Sequence, residues 1–201
     1  MPRTTGEETK AAIREVALAE FATRGYDSVP LEQIAAEVGI TRSAILHHFG
    51  SKADLLRELV EPFESALDDI MDAYAEVAVP IPLSERSALL TRVVEVYCTH
   101  RWVLLMLLRD VSSHWPLHIN ARMTARIERL VELLAGEVAN ATDRVVVDAV
   151  LGVVTRPLLD PVTDVDDVHI RRLLVNIALD VAKRLGNAAS RSWSDHPPVT
   201  R

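Results

Sequence analysis

Between residues 7 and 24 the apolar side chains Ile13, Val16, Ala17 and Phe21 recur at three- and four-residue intervals, with Lys10, Arg14 and Glu15 off that stripe. This is the period of an amphipathic helix. Thr5 ahead of it suits an N-cap, and Gly25 behind it suits a stop. Leu31, Ile34, Ala35 and Val38 repeat the stripe over 30–38, with Pro30 fitted to the first helical position and Gly39 ending the run. Thr41 then caps a third, very short helix. Its inward positions are Ala44, Ile45 and His48; Arg42, Ser43, Leu46 and His47 form its outer face, and Phe49 and Gly50 close it. Ser51 followed by Asp54 resembles a capping box that opens a long helix from Lys52 towards Ala78.

Beyond Pro80 and Pro82 the spacing predicts further helices over 84–99, 101–113, 116–139, 142–158 and 164–185, separated by signals such as Pro116, Asn140 and Asp160-Pro161. No stretch sustains the two-residue alternation of a half-buried strand. The expected fold class is therefore all-α, with a three-helix head over 1–56, a helical body over 57–186 and a frayed tail over 187–201. Pro62, inside the long helix, removes one backbone hydrogen bond and opposes the Glu58 carbonyl, so a kink is expected there.

Composition changes this picture little. Hydrophobic residues make up 49% of the 201-residue chain, enough for a packed core, and 25% are charged. The lone cysteine, Cys98, has no partner for an intramolecular disulfide and sits in an apolar stretch, which suits a buried thiol in a reducing compartment. The first residues lack the apolar region of a secretory signal, and the longest apolar run, Trp102 to Leu108, is far short of the roughly 20 residues of a membrane span. A cytoplasmic protein with no membrane partner is expected.

Charge matters more. The chain carries a formal −7 at pH 7, and residues 1–58 hold seven Lys/Arg against nine Asp/Glu, so even the head is net −2. Nucleic-acid binders ordinarily show a basic footprint. Any DNA-reading role must rest on where the cations point, not on their total.

The spacing of 30–48 carries the first functional signal: helix, short turn containing Gly39, second short helix, which is the helix-turn-helix pattern. Its second helix must be narrow and partly exposed to enter a major groove. Arg42 and Ser43 stand at its N-terminal end, where side chains and backbone N–H groups reach bases and phosphates, and His47 lies a turn further along.

The runs Glu20-Phe-Ala-Thr-Arg-Gly-Tyr26, Ile34-Ala-Ala-Glu-Val-Gly-Ile-Thr41 and His48-Phe-Gly-Ser-Lys-Ala-Asp-Leu55 together resemble the head of the tetracycline-repressor (TetR) family, over residues 11–56. The resemblance implies a homodimer with two heads over successive major grooves of a palindromic double-stranded DNA operator. It also implies a small-molecule effector pocket in each body and a transcriptional regulator of the repressor type. DNA contacts would fall to Thr41, Arg42, Ser43, Leu46 and His47, with phosphate contacts from His48 and Lys52. Two positions depart from the family pattern. Leu46 stands where a phosphate-binding Tyr is usual, and could pack on a thymine methyl instead. Val29 and Pro30 stand where Ser or Thr is usual, leaving Ser28 as the nearby hydroxyl. An activator, or a family member working through protein contacts without DNA, remains as the alternative.

In the body, 145–154 is apolar nearly all round, so it needs covering on two sides. The resemblance places the dimer contact on this helix and the last one, which makes Val146, Ala149, Val150, Gly152, Val153, Leu173, Leu174, Ile177 and Val181 the dimer candidates. Aromatic, sulfur-bearing and polar residues of the middle helices give the pocket candidates Phe63, Met71, Tyr74, Tyr97, Trp102, Met106, Arg109, Trp115 and His118, with His100 as a further polar group. Catalysis, a metal site and a cofactor are not expected. His47 and His48 are adjacent and diverge on a helix, no zinc-ligand spacing occurs, and the seven glycines do not cluster into a phosphate loop.

Overall fold

Thr5 opens the first helix as its position predicts. Its hydroxyl accepts from the Glu8 N–H at 3.3 Å while the Glu8 carboxylate accepts from the Thr5 N–H at 2.7 Å, a complete capping box. This helix, α1 (Gly6–Arg24), stops at Gly25, whose N–H bonds the Phe21 carbonyl at 3.0 Å. The computed structural model describes residues 5–109, 117–136, 139–159 and 167–183, and among them the chain continues as α2 (Leu31–Val38), α3 (Arg42–Phe49), α4 (Lys52–Asp72), α5 (Leu83–Thr99), α6 (Arg101–Arg109), α7 (Leu117–Ala135), α8 (Ala141–Leu159) and α9 (Asp167–Ala182). No strand occurs among the described residues, and no helix there is long and apolar enough to cross a membrane.

Several boundaries differ from expectation, most by a residue or so, and α7 stops at Ala135, before Gly136 at φ 96°, and not at 139. Pro30 is the extended N-cap of α2 (φ −75°, ψ 151°), so the helix begins one residue later than the proline suggested. The long fourth helix ends at Asp72, not near Ala78. Beyond it the N–H groups of Tyr74, Ala75 and Val77 turn back to carbonyls three residues earlier, at 3.1, 3.1 and 3.3 Å. The Arg129 guanidinium, from α7, takes the Tyr74 carbonyl at 2.9 Å and that of Ala75 at 3.4 Å. A distant side chain thus supplies the partners that further helix would have supplied. Residues 110–113, 116, 137–138, 164–166 and 184–185 of the predicted helices, and the predicted tail 187–201, lie outside the described residues.

The chain divides into two compact units. The first comprises Met1–Asp69 and Val96–Ala121. In it α1 packs on α2 and α6, and α2 on α3. Ile13, Ala17 and Phe21 of α1, Leu31 and Ile34 of α2, Ile45 and Phe49 of α3 and Leu55 and Leu56 of α4 are buried. The second comprises Ile70–Glu95 and Arg122–Arg201, in which α8 packs on α9. Here the loop before α5 docks on α7: the Ile81 N–H bonds the Leu133 carbonyl at 2.9 Å, and a Cβ on Gly136 would come within 3.2 Å of the Pro80 ring. Asn140 and Asp143 cap α8 reciprocally, the Asn140 side-chain oxygen accepting from the Asp143 N–H at 3.0 Å and the Asp143 carboxylate from the Asn140 N–H at 3.2 Å.

Candidate nucleic-acid interface

The turn between α2 and α3 is fixed at both ends. Gly39 takes the left-handed conformation (φ 77°, ψ 32°), which costs a residue with a Cβ strain. Its N–H bonds the Ala36 carbonyl at 3.2 Å and the Ile40 N–H bonds that of Ala35 at 2.9 Å, the two bonds of a Schellman motif. Two residues on, the Thr41 hydroxyl caps α3 by accepting from the Ala44 N–H at 3.2 Å, and lies 2.8 Å from the Ser43 hydroxyl. With Ile45 and Phe49 buried beneath it, α3 has its roll about its own axis fixed. The side chains left exposed are Thr41, Arg42, Ser43 and His47.

Three of them, Arg42, Ser43 and His47, lie on the outer face that the sequence predicts; Thr41 joins them and Leu46, expected there, does not. Leu46 and His48 are half-buried. The His48 ring lies edge-on to His47 at 5.8 Å and tilted to Phe49 at 6.4 Å between centroids. Phe49, expected only to close the helix, is one of its two inward anchors, and Ala44 is only half-covered. Val29 is wholly buried, whereas Ser28 is exposed.

Every described cation of residues 5–58 has a partner within the chain. Glu58 takes both Lys10 and Arg14, at 2.9 and 3.1 Å; Arg24 meets Glu20 at 3.1 Å; Arg57 meets Asp54. On the reading face the Arg42 Nε lies 3.1 Å from the Glu32 carboxylate, across the turn from α2, and both side chains are exposed. Sequence reasoning missed this pairing because nothing in helical periodicity links residue 32 to residue 42. Lys52 is turned inward. Its ammonium donates to the Tyr26 carbonyl at 2.6 Å and sits 4.3 Å from the Tyr26 ring centroid and 5.6 Å from that of Phe21. It ties the start of α4 to the turn after α1, and the phosphate contact implied by the resemblance would compete with these partners.

The pocket candidates do not assemble as one set. Phe63, Tyr97 and Met106 are buried in the first unit, with Phe63 tilted against Tyr97 at 5.9 Å and against His100 at 5.8 Å. Burial pushes the Tyr97 phenol up to about 12 and holds the His100 imidazole below its usual range. Met71, half-buried, and Tyr74, buried, belong to the second unit. Trp102 is exposed, with the Arg101 guanidinium 5.2 Å above its ring, which does not suit a cavity wall. Trp115 and the side chains of Arg109 and His118 lie outside the described residues. The described residues contain no group of three His, Cys, Asp or Glu that could hold a metal ion.

Of the dimer candidates, Val150 and Leu174 are buried within the single chain, on the two helices that pack together, α8 and α9. Ala149, Gly152 and Leu173 are exposed and Val146, Val153, Ile177 and Val181 half-buried. The sequence reading overlooked Val145 and Val168, which are 65% and 76% exposed.

Comparison with known proteins concentrates on the head. Residues 13–59 match the model of a family described as bacterial regulatory proteins, tetR family. The chain is 37% identical over 89 residues to the HTH-type transcriptional regulator AcrR of Shigella flexneri, covering 44% of this chain and 41% of that protein. It is 32% identical over 101 residues to the HTH-type transcriptional repressor BepR of Brucella suis, covering 49% of this chain and 48% of that one. Both matches thus span less than half the length of the relative. A crystal structure of a member of the TetR transcriptional regulator family from Streptomyces coelicolor is similar across 85% of this chain and 88% of that one, with a TM-score of 0.69 and 24% identity, which speaks to the fold.

Proposed function

We propose that this chain, whose residues 13–59 carry the tetR-family domain, is a DNA-binding transcriptional regulator of the repressor type. The observation that carries the reading is the capped, rotationally fixed α3 with Thr41, Arg42, Ser43 and His47 as its exposed edge. A short helix so presented fits a major groove, with side chains at its N-terminal end reaching base edges. The relatives that share this segment are named as regulators and, in one case, a repressor, in keeping with that direction of control.

Two heads are needed for a palindromic operator, so the proposed working form is a homodimer in the cytoplasm. The exposed apolar edge of α8 and α9, with Val145, Ala149, Gly152 and Leu173, is the proposed contact between copies. The second part of the reading is a small-molecule effector that binds the body and releases DNA by favouring the state that DNA disfavours. Phe63, Tyr97, His100 and Met106, with Phe63 tilted against both Tyr97 and His100, are the proposed lining of its site.

DNA fragments flanking the protein's own gene should be retained by the wild-type chain and released when Arg42→Ala replaces it. Retention unaffected by Arg42→Ala would contradict the assigned face. The paired cations and net negative head favour one second reading, a regulator acting through protein contacts, and loss of all DNA retention in selections from random sequence would move the conclusion there.

A further inference from the structure

On the reading that α3 enters a major groove, we propose that Glu32 is a positioning residue for base recognition: it holds Arg42 by the Nε edge so that the two terminal nitrogens present a fork to one guanine in each half-site. Glu32 belongs to the first turn of α2, and Arg42 is the first residue of α3. The rigid turn built on Gly39 and Thr41 brings them to 3.1 Å between Nε and the carboxylate. Both side chains are exposed, so the pair stands on the face that would meet DNA and not beneath it.

The chemistry follows from the shape of the guanidinium. It has one N–H on Nε and four on the terminal nitrogens, in a fixed plane. Engaging Nε leaves the terminal pair intact, and two parallel N–H groups match the O6 and N7 acceptors of guanine. Among the described residues the ion pair to Glu32 is the one that Arg42 makes. The neighbouring hydroxyls of Thr41 and Ser43 are engaged with each other. An arginine without a buttress would have to be ordered on binding, at an entropic cost that the ion pair defrays beforehand.

The same carboxylate repels DNA phosphates, so Glu32 should lower affinity for all sequences while sharpening the choice among them. That opposition of sign separates positioning from plain charge. Binding sites would be selected from random DNA with the full chain. The selected duplex, its single-base variants and random-sequence DNA would then be titrated with wild type, Arg42→Ala, Glu32→Ala and Glu32→Gln.

Arg42→Ala should lose about 5- to 150-fold discrimination at one G·C pair per half-site, the range expected for a bidentate contact. Glu32→Ala should lose at least about threefold at that same pair, and bind random-sequence DNA more tightly than wild type. Glu32→Gln, whose amide oxygen offers Nε a neutral partner in the same place, should keep the preference while sharing the tighter random binding. Unchanged preference in Glu32→Ala overturns the inference alone. Equal weakening on every sequence in Arg42→Ala does so too, because it marks a phosphate contact. Failure of the wild type to select any sequence overturns both the inference and the function on which it rests.

Discussion

At the scale of single residues, the informative side chains are those whose partners lie far away in sequence. Lys52 reads from its motif as a phosphate-binding cation, yet in the fold its ammonium donates to the Tyr26 carbonyl and lies close to the Tyr26 and Phe21 rings. Lys52→Met keeps the stem and removes the charge. It should lower stability by about 1–2 kcal/mol, as a charge-assisted hydrogen bond and a cation–π contact are lost. The midpoint of urea unfolding checks this, and the slope of log affinity against log salt for DNA should stay as in the wild type. A slope reduced by about one would return Lys52 to the phosphates. Tyr97 gives a pH signature. Its phenol titrates near 12 in the folded chain but near 10 when unfolded. Between those values the unfolded chain has lost the proton that the native one retains, so stability is intact below pH 10 and falls as pH rises through 12. Roughly 2–3 kcal/mol should be lost across that window, and Tyr97→Phe should flatten the alkaline arm of the stability profile. That Tyr97 is buried was not readable from its helical spacing, which gives a residue's face but not what covers it.

At the scale of elements, the capped helix starts were legible and the end of α4 was not. Thr5, Thr41 and Ser51 cap within three residues of themselves, so short-range sequence contains both partners of each bond. The end of α4 depends on Arg129, more than fifty residues on, and no local signal announces it. The turn that sets the reading helix belongs to the legible class and yields a matched pair of tests. Thr41→Ala removes the α3 cap and should cost about 1 kcal/mol. Gly39→Ala forces a Cβ into the left-handed region and should cost about 1–2 kcal/mol. Thermal melting checks both. In each case affinity for DNA should fall further than stability predicts, because the orientation of Arg42 depends on this turn. Loss of stability with full retention of affinity would separate the turn from the reading function.

At the scale of the whole molecule, the apolar runs of the body showed that two sides needed covering without showing which side a partner covers. The structure divides them: Val150 and Leu174 serve the protomer, while Val145, Gly152 and Leu173 face outward. A Cβ on Gly152 would meet nothing within 4 Å in the single chain. Gly152→Leu should therefore be tolerated by the protomer, and even favour α8 by about 0.8 kcal/mol through helix propensity. In the proposed dimer it would prise the two copies apart, so sedimentation should show monomer at concentrations where the wild type is dimeric. An unchanged dimer would move the interface elsewhere. Net charge acts at this scale too. With a formal −7 on the chain and each described cation of the head paired internally, sequence-independent attraction to DNA should be weak, leaving recognition to the exposed edge of α3. The measurement that tests the central claim most directly is fluorescence anisotropy on a selected duplex and on a scrambled one, across a salt series. Tight binding to the selected duplex alone, weakening only shallowly as salt rises and lost with Arg42→Ala, is the predicted result. Equal affinity for the two duplexes, or binding indifferent to Arg42→Ala, would contradict it.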